Sequence, residues 1–256
     1  MYEAVRASEA STPSRLAATA ARAGYDGVVL RNARTAVADV AALREAVDCD
    51  VVVAAEVVAD DPQSARGHVG NYRPDVTLLV VRGGSVATNR FAVESPKVDV
   101  LARPMHGDGD VNHVLLRAAA ENDVHVEVNL GPVLRSTGGP RVRAIRSLRK
   151  LAELVDAYDT PHVVSADPGD HLEVRAPREV VAVGEAAGLD PAFVREGLAA
   201  WGALAERRRR EQSPEWVAPG VRVVDAVDEA DAGDPERVDD GDSERADDGR
   251  AEGDAP

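Results

Sequence analysis

The sequence is short of several residue types, and each shortage excludes a class of protein. Its 256 residues include one cysteine, Cys49, which rules out a disulfide-stapled fold and favours a reducing compartment. Aromatic residues make up only 3%, so valine, alanine and leucine must fill the core, as they do in parallel strands covered by helices. No apolar run approaches the roughly 18 residues that span a bilayer, and no signal peptide precedes the first strand. We therefore expect a cytoplasmic protein that makes no membrane contact.

Lysine is also nearly absent. Of 30 basic residues only Lys97 and Lys150 are lysine, and the net charge is −15. An acidic, lysine-poor surface stays hydrated in concentrated salt, where charge repulsion is screened within a few ångströms. This composition favours a halophilic host as a hypothesis, and a GC-rich genome that replaces lysine with arginine is the alternative.

The composition changes near residue 213 and predicts two regions. Residues 1–212 carry the apolar patterns of one large domain. Residues 218–256 contain 14 acidic and 4 basic residues and almost no large apolar ones. Such a segment cannot bury enough apolar surface to fold, so residues 213–256 are predicted to be an acidic disordered tail. The tail could simply solvate the protein or could contact a basic partner.

Within the first region, apolar strands alternate with helical patterns. Strands are predicted at residues 2–6, 26–31, 50–58, 76–81, 98–101, 124–130 and 161–166. Helices are predicted at residues 12–23, 36–47, 61–72, 112–122, 140–158, 177–187 and 191–210. Seven β–α alternations indicate an α/β fold, a TIM-like βα barrel with mostly parallel strands. The best candidate for an eighth strand is residues 171–174.

Chemistry in such a barrel takes place at the carboxyl ends of the strands. Those ends carry mostly arginine and asparagine, and a metal-dependent hydrolase would instead need converging histidines and carboxylates. The first strand has no histidine, and only His106 and His68 fall in loops that could face a site. Glu56 and Asp167 could pair, but they lie on distant strands. We therefore predict no catalytic residue and no metal ligand. The arginines either contact phosphates or pair with neighbouring acids.

Three runs carry a family resemblance. They are RGGSVATNRFAVESPKVDVLARP at residues 82–104, NHVLLRAAAENDVHVEVNL at 112–130 and GGPRVRAIRSLRKL at 138–151. In their residues and in their order along the chain, these runs resemble the thirty-kilodalton subunit family of ribonuclease P, known in archaea as protein component 3. The opening YEAVRA and the GYDGVVL strand also fit, so the resemblance covers about residues 2–210.

The resemblance implies a TIM-like barrel in a ribonucleoprotein that removes the 5′ leader of precursor tRNA by phosphodiester cleavage. In that family the RNA subunit holds Mg²⁺ and carries the chemistry, so this chain is expected to bind no cofactor and to support RNA folding and assembly. The implied partners are ribonuclease P RNA, protein component 2 in a heterotetramer of two pairs, the other ribonuclease P proteins and, through the complex, precursor tRNA. The alternative is a free-standing metal-dependent phosphoesterase on the same barrel.

The residues predicted to contact RNA or a partner protein are polar or cationic. They are Arg82, Asn89, Arg90, Arg103, Asn112, His113 and Asn129, together with Arg141, Arg143 and Arg146 on one helix face. Each group has a structural alternative: a helix N-cap for Asn112, loop hydrogen bonds for Asn89 and Asn129, and half-buried packing for His113. Arg207 to Arg210 either contact RNA or oppose Glu206 and Glu211. The sequence does not separate RNA contacts from protein contacts.

Overall fold

A computed structural model describes residues 1–213, 216–218 and 221–222, and its centre is a sheet of seven parallel strands. The strands are hydrogen-bonded in chain order. They are β1 (Tyr2–Val5), β2 (Gly27–Leu30), β3 (Asp50–Val57), β4 (Leu78–Arg82), β5 (Val100–Ala102), β6 (His125–Asn129) and β7 (His162–Ser165). All seven predicted strands are confirmed, several with shorter bounds. The predicted TIM-like α/β architecture is confirmed as a nearly closed barrel.

Helices cover the outside of the sheet. They are α1 (Pro13–Ala23), α2 (Ala33–Ala36), α3 (Val40–Glu45), α4 (Pro62–Tyr72), α5 (Val86–Glu94), α6 (His113–Glu121), α7 (Gly131–Arg135), α8 (Gly138–Ala157), α9 (Pro177–Ala186) and α10 (Pro191–Glu211). The helix predicted at residues 36–47 is shorter in the structure, where α3 spans Val40–Glu45 and the short α2 precedes it. Val37 is extended, and the Asp39 side chain caps α3 by accepting the Ala42 N–H at 3.0 Å.

The predicted eighth strand at residues 171–174 is wrong. His171–Glu173 forms a 3₁₀ turn because the Asp170 side chain accepts the Leu172 N–H at 2.8 Å and caps it. No eighth strand joins the barrel sheet within residues 1–213, and β7 does not pair with β1. Farther on, β8 (Trp216–Ala218) and β9 (Val221–Arg222) form a separate antiparallel pair inside the predicted tail. The rest of that tail lies outside the described residues.

The open seam between β7 and β1 is covered by α10. Trp201 of α10 is fully buried and donates its indole N–H to the Val164 carbonyl of β7 at 2.9 Å. The helix comes this close because it carries glycine at two contact points. A Cβ added at Gly197 would lie 2.9 Å from the Val164 nitrogen, and one at Gly202 would lie 2.5 Å from the Tyr2 ring. A helix thus takes the place of the missing strand.

The carboxyl end of α10 crosses the amino ends of the strands. Arg207 pairs with Asp123, Arg208 with Asp99 at 2.5 Å, and Arg209 with Asp50 at 2.8 Å. Of the helix-end pairings considered from the sequence, Arg208 with Glu211 is present at 2.7 Å. The principal partners of these arginines are therefore aspartates at the strand starts.

Alternation along the strands fills the barrel interior in two layers. The lower layer is apolar and includes Val29, Val52, Val80 and Val163 packed against Trp201. Two residues farther along several strands, the inward positions become charged, as at Arg31 after Val29 and Arg82 after Val80. The polar layer therefore lies at the carboxyl ends of the strands.

Replacing Gly197 with alanine should lower the free energy of unfolding by about 1–3 kcal/mol, because the added methyl group collides with the β7 backbone. Gly67→Ala is the matched control, since Gly67 also lies inside a helix but has no atom within 4 Å of an added Cβ. It should be stabilising by about 0.5–1 kcal/mol. Denaturant unfolding at fixed salt checks both. Equal effects would show that α10 does not depend on this close approach.

Candidate functional site

Seven charged side chains meet at the carboxyl ends of the strands, and we call them the mouth cluster. They lie on or just after β1, β2, β3, β4, β5, β6 and β7, and are Arg6, Arg31, Glu56, Arg82, Arg103, Glu127 and Asp167. Parallel strands bring their carboxyl ends to one edge, which places residues far apart in sequence within reach of one another. The cluster contains four arginines and three carboxylates.

Arg31 is the centre of the mouth cluster. Its side chain is fully buried and is paired with Glu127, with Asp167 at 3.6 Å and with Glu56 at 3.8 Å. Its guanidinium lies 5.6 Å from the centre of the Trp201 ring, directly above the apolar layer. Burial lowers the pKa of Arg31, but Glu127 and Asp167 outweigh it and raise that pKa above its usual value. The buried charge is therefore permanent.

Glu56 and Asp167, considered from the sequence as a carboxylate pair, are each held by arginines. Glu56 pairs with Arg6 and, at 2.6 Å, with Arg82. Asp167 pairs with Arg103, and burial raises its pKa, but Arg31 and Arg103 lower it to about 2. A carboxylate with that pKa is a poor general base near neutral pH. These groups organise arginines and offer little proton chemistry.

The rim of the mouth cluster is electropositive. The side chains of Arg6, Arg82 and Arg103 remain 30%, 26% and 28% exposed. The pKa of Arg6 is lowered to about 10 by burial and by the nearby arginines, which outweigh the opposing effect of Asp167. Burial and then Arg103 lower the pKa of Arg82. Burial is the main cause of both shifts, and the further effect of neighbouring arginines shows that positive charges are crowded at this rim, where a bound anion would be stabilised.

Glu3 fixes the loop that carries Asp167. Its buried carboxylate accepts the N–H groups of Ala166 at 3.0 Å and Asp167 at 3.4 Å, and it also accepts the Tyr25 hydroxyl at 3.1 Å. Burial raises the pKa of Glu3 to about 7. Since β1 and β7 do not pair here, this side chain supplies acceptors that a neighbouring strand would have supplied.

Two predicted contact residues, Asn129 and Asn89, are buried near the mouth cluster. Asn129 is 9% exposed; its amide donates to Asp167 at 3.3 Å and accepts the Gly131 N–H at 2.8 Å. Asn89 is fully buried, and its amide donates to the carbonyl oxygens of Pro104 and Asp110 and accepts the Gly84 N–H. The expectation of a direct contact is therefore corrected for Asn89, which joins the loops after β4 and β5.

Three other predicted residues, Arg90 on α5, the α6 N-cap Asn112 and His113 on α6, are solvent-exposed. Arg90 pairs with Glu94 one turn along the helix at 2.7 Å. Asn112 caps α6 by accepting the N–H groups of Val114 and Leu115, so the N-cap alternative is present. His113 is exposed, with its ring 6.1 Å from the Tyr158 ring, and the half-buried alternative is not what the structure shows.

The cationic face of α8 is only partly free. Arg141 donates to the Val133 carbonyl at 2.8 Å, and Lys150 pairs with Asp110 at 2.8 Å. Arg143 and Arg146 are exposed and make no hydrogen bond or ion pair with any described residue. These two arginines are therefore the members of the predicted set on α8 that are available to a partner.

The sequence interpretation missed the central role of Arg31, Arg6 and Glu127. A signal was present, because a charge at the inward position of a valine-rich strand must be paired when it is buried. Within the described residues, no group of three or more histidine, cysteine or acidic side chains is arranged to hold a metal ion. Helices long and apolar enough to span a bilayer are also absent from the described part of the chain.

The chain matches the model of the RNase P subunit p30 family over residues 1–213. It is 54% identical to ribonuclease P protein component 3 of Haloarcula marismortui, over 90% of this chain and 100% of the relative. The corresponding protein of Halorubrum lacusprofundi is 56% identical over 87% of this chain and 97% of its own length. The acidic, lysine-poor composition agrees with these relatives from halophilic archaea.

The fold is also found among solved structures. A chain in the cryo-EM structure of archaeal ribonuclease P with mature tRNA superposes with a TM-score of 0.75. The match covers 88% of this chain and 99% of that chain at 22% identity. At this level of identity the likeness establishes the fold alone, and it agrees with the nearly closed barrel described above.

Asn89 and Arg90 should respond differently to substitution by alanine. Asn89→Ala removes three hydrogen bonds of a fully buried side chain and should lower the free energy of unfolding by about 2–4 kcal/mol. Arg90→Ala removes one exposed ion pair and should change it by no more than about 0.5 kcal/mol. Thermal or denaturant unfolding measures both, and a neutral Asn89→Ala would contradict the loop-joining role.

Glu3→Gln should change how stability depends on pH. The folded-state pKa of about 7 lies above the free value of 4.5, so the folded protein binds this proton more tightly. The resulting stabilisation is complete below about pH 4.5 and is lost as the pH rises through 7. Between pH 4.5 and 8, the free energy of unfolding of the wild type should thus fall by up to about 3 kcal/mol relative to that of the variant.

The measurement is the free energy of unfolding across that pH range at constant salt. Glutamine keeps an acceptor oxygen for the Ala166 and Asp167 N–H groups, so the variant should fold. The exposed Glu9 provides the control, because Glu9→Gln makes the same chemical change at the surface, away from the Ala166 and Asp167 N–H groups. If the Glu3→Gln profile runs parallel to that of the wild type, Glu3 does not titrate in the folded protein as described.

Proposed function

The chain belongs to the RNase P subunit p30 family, and we propose that within ribonuclease P it is a non-catalytic scaffold that organises RNA and the neighbouring protein subunits. The enzyme removes the 5′ leader of precursor tRNA by phosphodiester cleavage. In this proposal the RNA subunit holds Mg²⁺ and carries the chemistry, and this chain contributes cationic side chains fixed in position by the barrel.

The state of the mouth cluster is the observation that carries this proposal. Its three carboxylates are all bound by arginines, whereas Arg6, Arg82 and Arg103 keep part of their surface exposed. Packed RNA repels itself, and arginine relieves that repulsion through bidentate contacts with phosphate. The arrangement therefore suits binding of RNA better than proton transfer.

A free-standing metal-dependent phosphoesterase is not favoured. Such an enzyme needs converging ligands or a carboxylate able to accept a proton near neutral pH. The pKa of Asp167, at about 2, does not meet that need, and Glu56 is occupied by two arginines.

The finer partnerships are part of the same proposal. We place the chain in the cytoplasm, paired with protein component 2 in a heterotetramer of two pairs, in contact with ribonuclease P RNA and the other protein subunits, and reaching precursor tRNA through the complex. Because salt weakens phosphate contacts steeply, a halophilic host would make the buried protein–protein surface important for assembly.

Reconstitution tests the proposal. The RNA subunit, component 2 and the other proteins should cleave precursor tRNA faster, or at lower Mg²⁺, when this chain is added at matched salt. The chain by itself should not cleave with Mg²⁺, Mn²⁺ or Zn²⁺. Unchanged cleavage on omission of the chain would refute the proposed role, and cleavage by the chain alone would support the phosphoesterase.

A double variant tests the free arginines of α8. The double variant Arg143→Ala/Arg146→Ala should weaken binding to ribonuclease P RNA. The slope of the logarithm of the binding constant against the logarithm of the salt concentration should become less steep, by the amount expected for about one to two lost phosphate contacts. Arg178→Ala with Arg195→Ala removes two exposed arginines from α9 and α10 and serves as the matched control. Filter binding over a salt series gives both slopes. Equal slopes would show that Arg143 and Arg146 make no phosphate contact.

A further inference from the structure

A cavity of about 250 Å³ lies beside the mouth cluster, between the loop after β5 and the middle of α8. Its walls include Met105, Pro132, Leu148 and Leu151. Leu148 and Leu151 are only 5% and 4% exposed, so the inner wall is apolar. The volume lies just below the roughly 300–1,000 Å³ of ordinary small-molecule pockets, which suits one flat ring.

Unpartnered polar groups surround this apolar space. The side chains of Arg143, His106 and Ser147 line the cavity and form no hydrogen bond or ion pair with any described residue. The Nε of Arg103, another lining residue, is buried and has no hydrogen-bond partner. Most buried polar groups in proteins are paired, so the unpaired Arg103 Nε points to a ligand that would complete it, and the exposed Arg143 and His106 side chains are free to contact the same ligand.

The backbone of Arg103 adds an independent sign of function. Its φ of +49° lies in the left-handed region, which a residue with a side chain adopts at a cost in energy. Asp167, which pairs with Arg103, also has a positive φ of +50°. Arg103 thus pairs with Asp167 while its own backbone is held in a costly conformation beside the cavity.

We propose that this cavity receives a single unpaired nucleotide of the RNA that the protein binds. The base enters between Met105, Pro132 and Leu148, and its phosphate lies toward Arg143 and Arg103. Ser147 and His106 are placed to hydrogen-bond or stack with the base. Unpaired bases that leave the RNA stack are recognised in this way, by an apolar or aromatic slot with polar groups at its edge.

The charges and the shape together favour a nucleotide over an acidic peptide. A carboxylate would satisfy the arginines, but it would leave the apolar inner wall exposed. A nucleotide of an RNA chain combines a monoanionic phosphodiester with a flat ring, and both parts have a matching surface here. The lining carboxylate, Glu127, is already bound by Arg31 and Ser165, so it does not repel the phosphate.

This inference rests on the proposed role in ribonuclease P. Its test measures RNA binding by cavity variants, so that it can give a negative result even when reconstituted cleavage still requires the chain. Ser147→Leu fills the cavity without removing a charge, and Ser14→Leu adds the same atoms at an exposed helix position as control. We expect Ser147→Leu to weaken binding of ribonuclease P RNA about tenfold, whereas Ser14→Leu should bind like the wild type. One nucleotide that the wild type protects from chemical modification should become reactive.

A second variant guards against misfolding. His106→Ala changes an exposed loop residue and should also weaken RNA binding. It tests the cavity even if Ser147→Leu does not fold. If both variants bind RNA like Ser14→Leu and expose no nucleotide, the inference is wrong even though reconstituted cleavage still requires the chain. If they weaken binding of component 2 and leave RNA binding intact, the cavity takes a peptide and the nucleotide assignment is overturned.

Discussion

The whole structure depends on how the barrel is closed when its sheet has only seven strands and β1 and β7 do not pair. A sheet with unpaired edges at β1 and β7 would expose backbone N–H and carbonyl groups to other chains. Here α10 covers the seam, Trp201 satisfies a β7 carbonyl, and Glu3 accepts N–H groups of the loop after β7. The same helix brings Trp201 beneath Arg31, so closing the barrel also sets the floor of the mouth cluster.

The two ends of the barrel are held by buried ionic contacts of different kinds. At the amino ends, Asp99 is fully buried and is bound by both Arg73 and Arg208. At the carboxyl ends, Arg31 is bound by several carboxylates. Buried pairs are screened by salt far less than exposed ones, and removing one partner costs about 3–5 kcal/mol. An acidic, salt-adapted protein therefore keeps its structural charges inside.

In the proposed role, this division affects how the surface binds RNA. Phosphate contacts by exposed arginines weaken as salt rises, whereas shape and stacking are less affected. The free residues Arg143 and Arg146 stand on the same helix as the apolar wall formed by Leu148. If the cavity receives a base as proposed, the surface combines it with a few arginines and keeps affinity for RNA at salt concentrations where charge alone would not suffice.

The sequence alone determined the strands and most helices, because valine runs, prolines at helix starts and capping residues act locally. It also pointed to the family through residues 82–151. The tertiary structure decided what depends on distant contacts. It turned residues 171–174 from a strand into a short turn, buried Asn89 in place of exposing it, and paired Glu56 and Asp167 with arginines. The reason is physical: the role of a charged or amide side chain depends on the partners within a few ångströms of it. Here some of those partners are more than a hundred residues away along the sequence, as Asp167 is from Arg31.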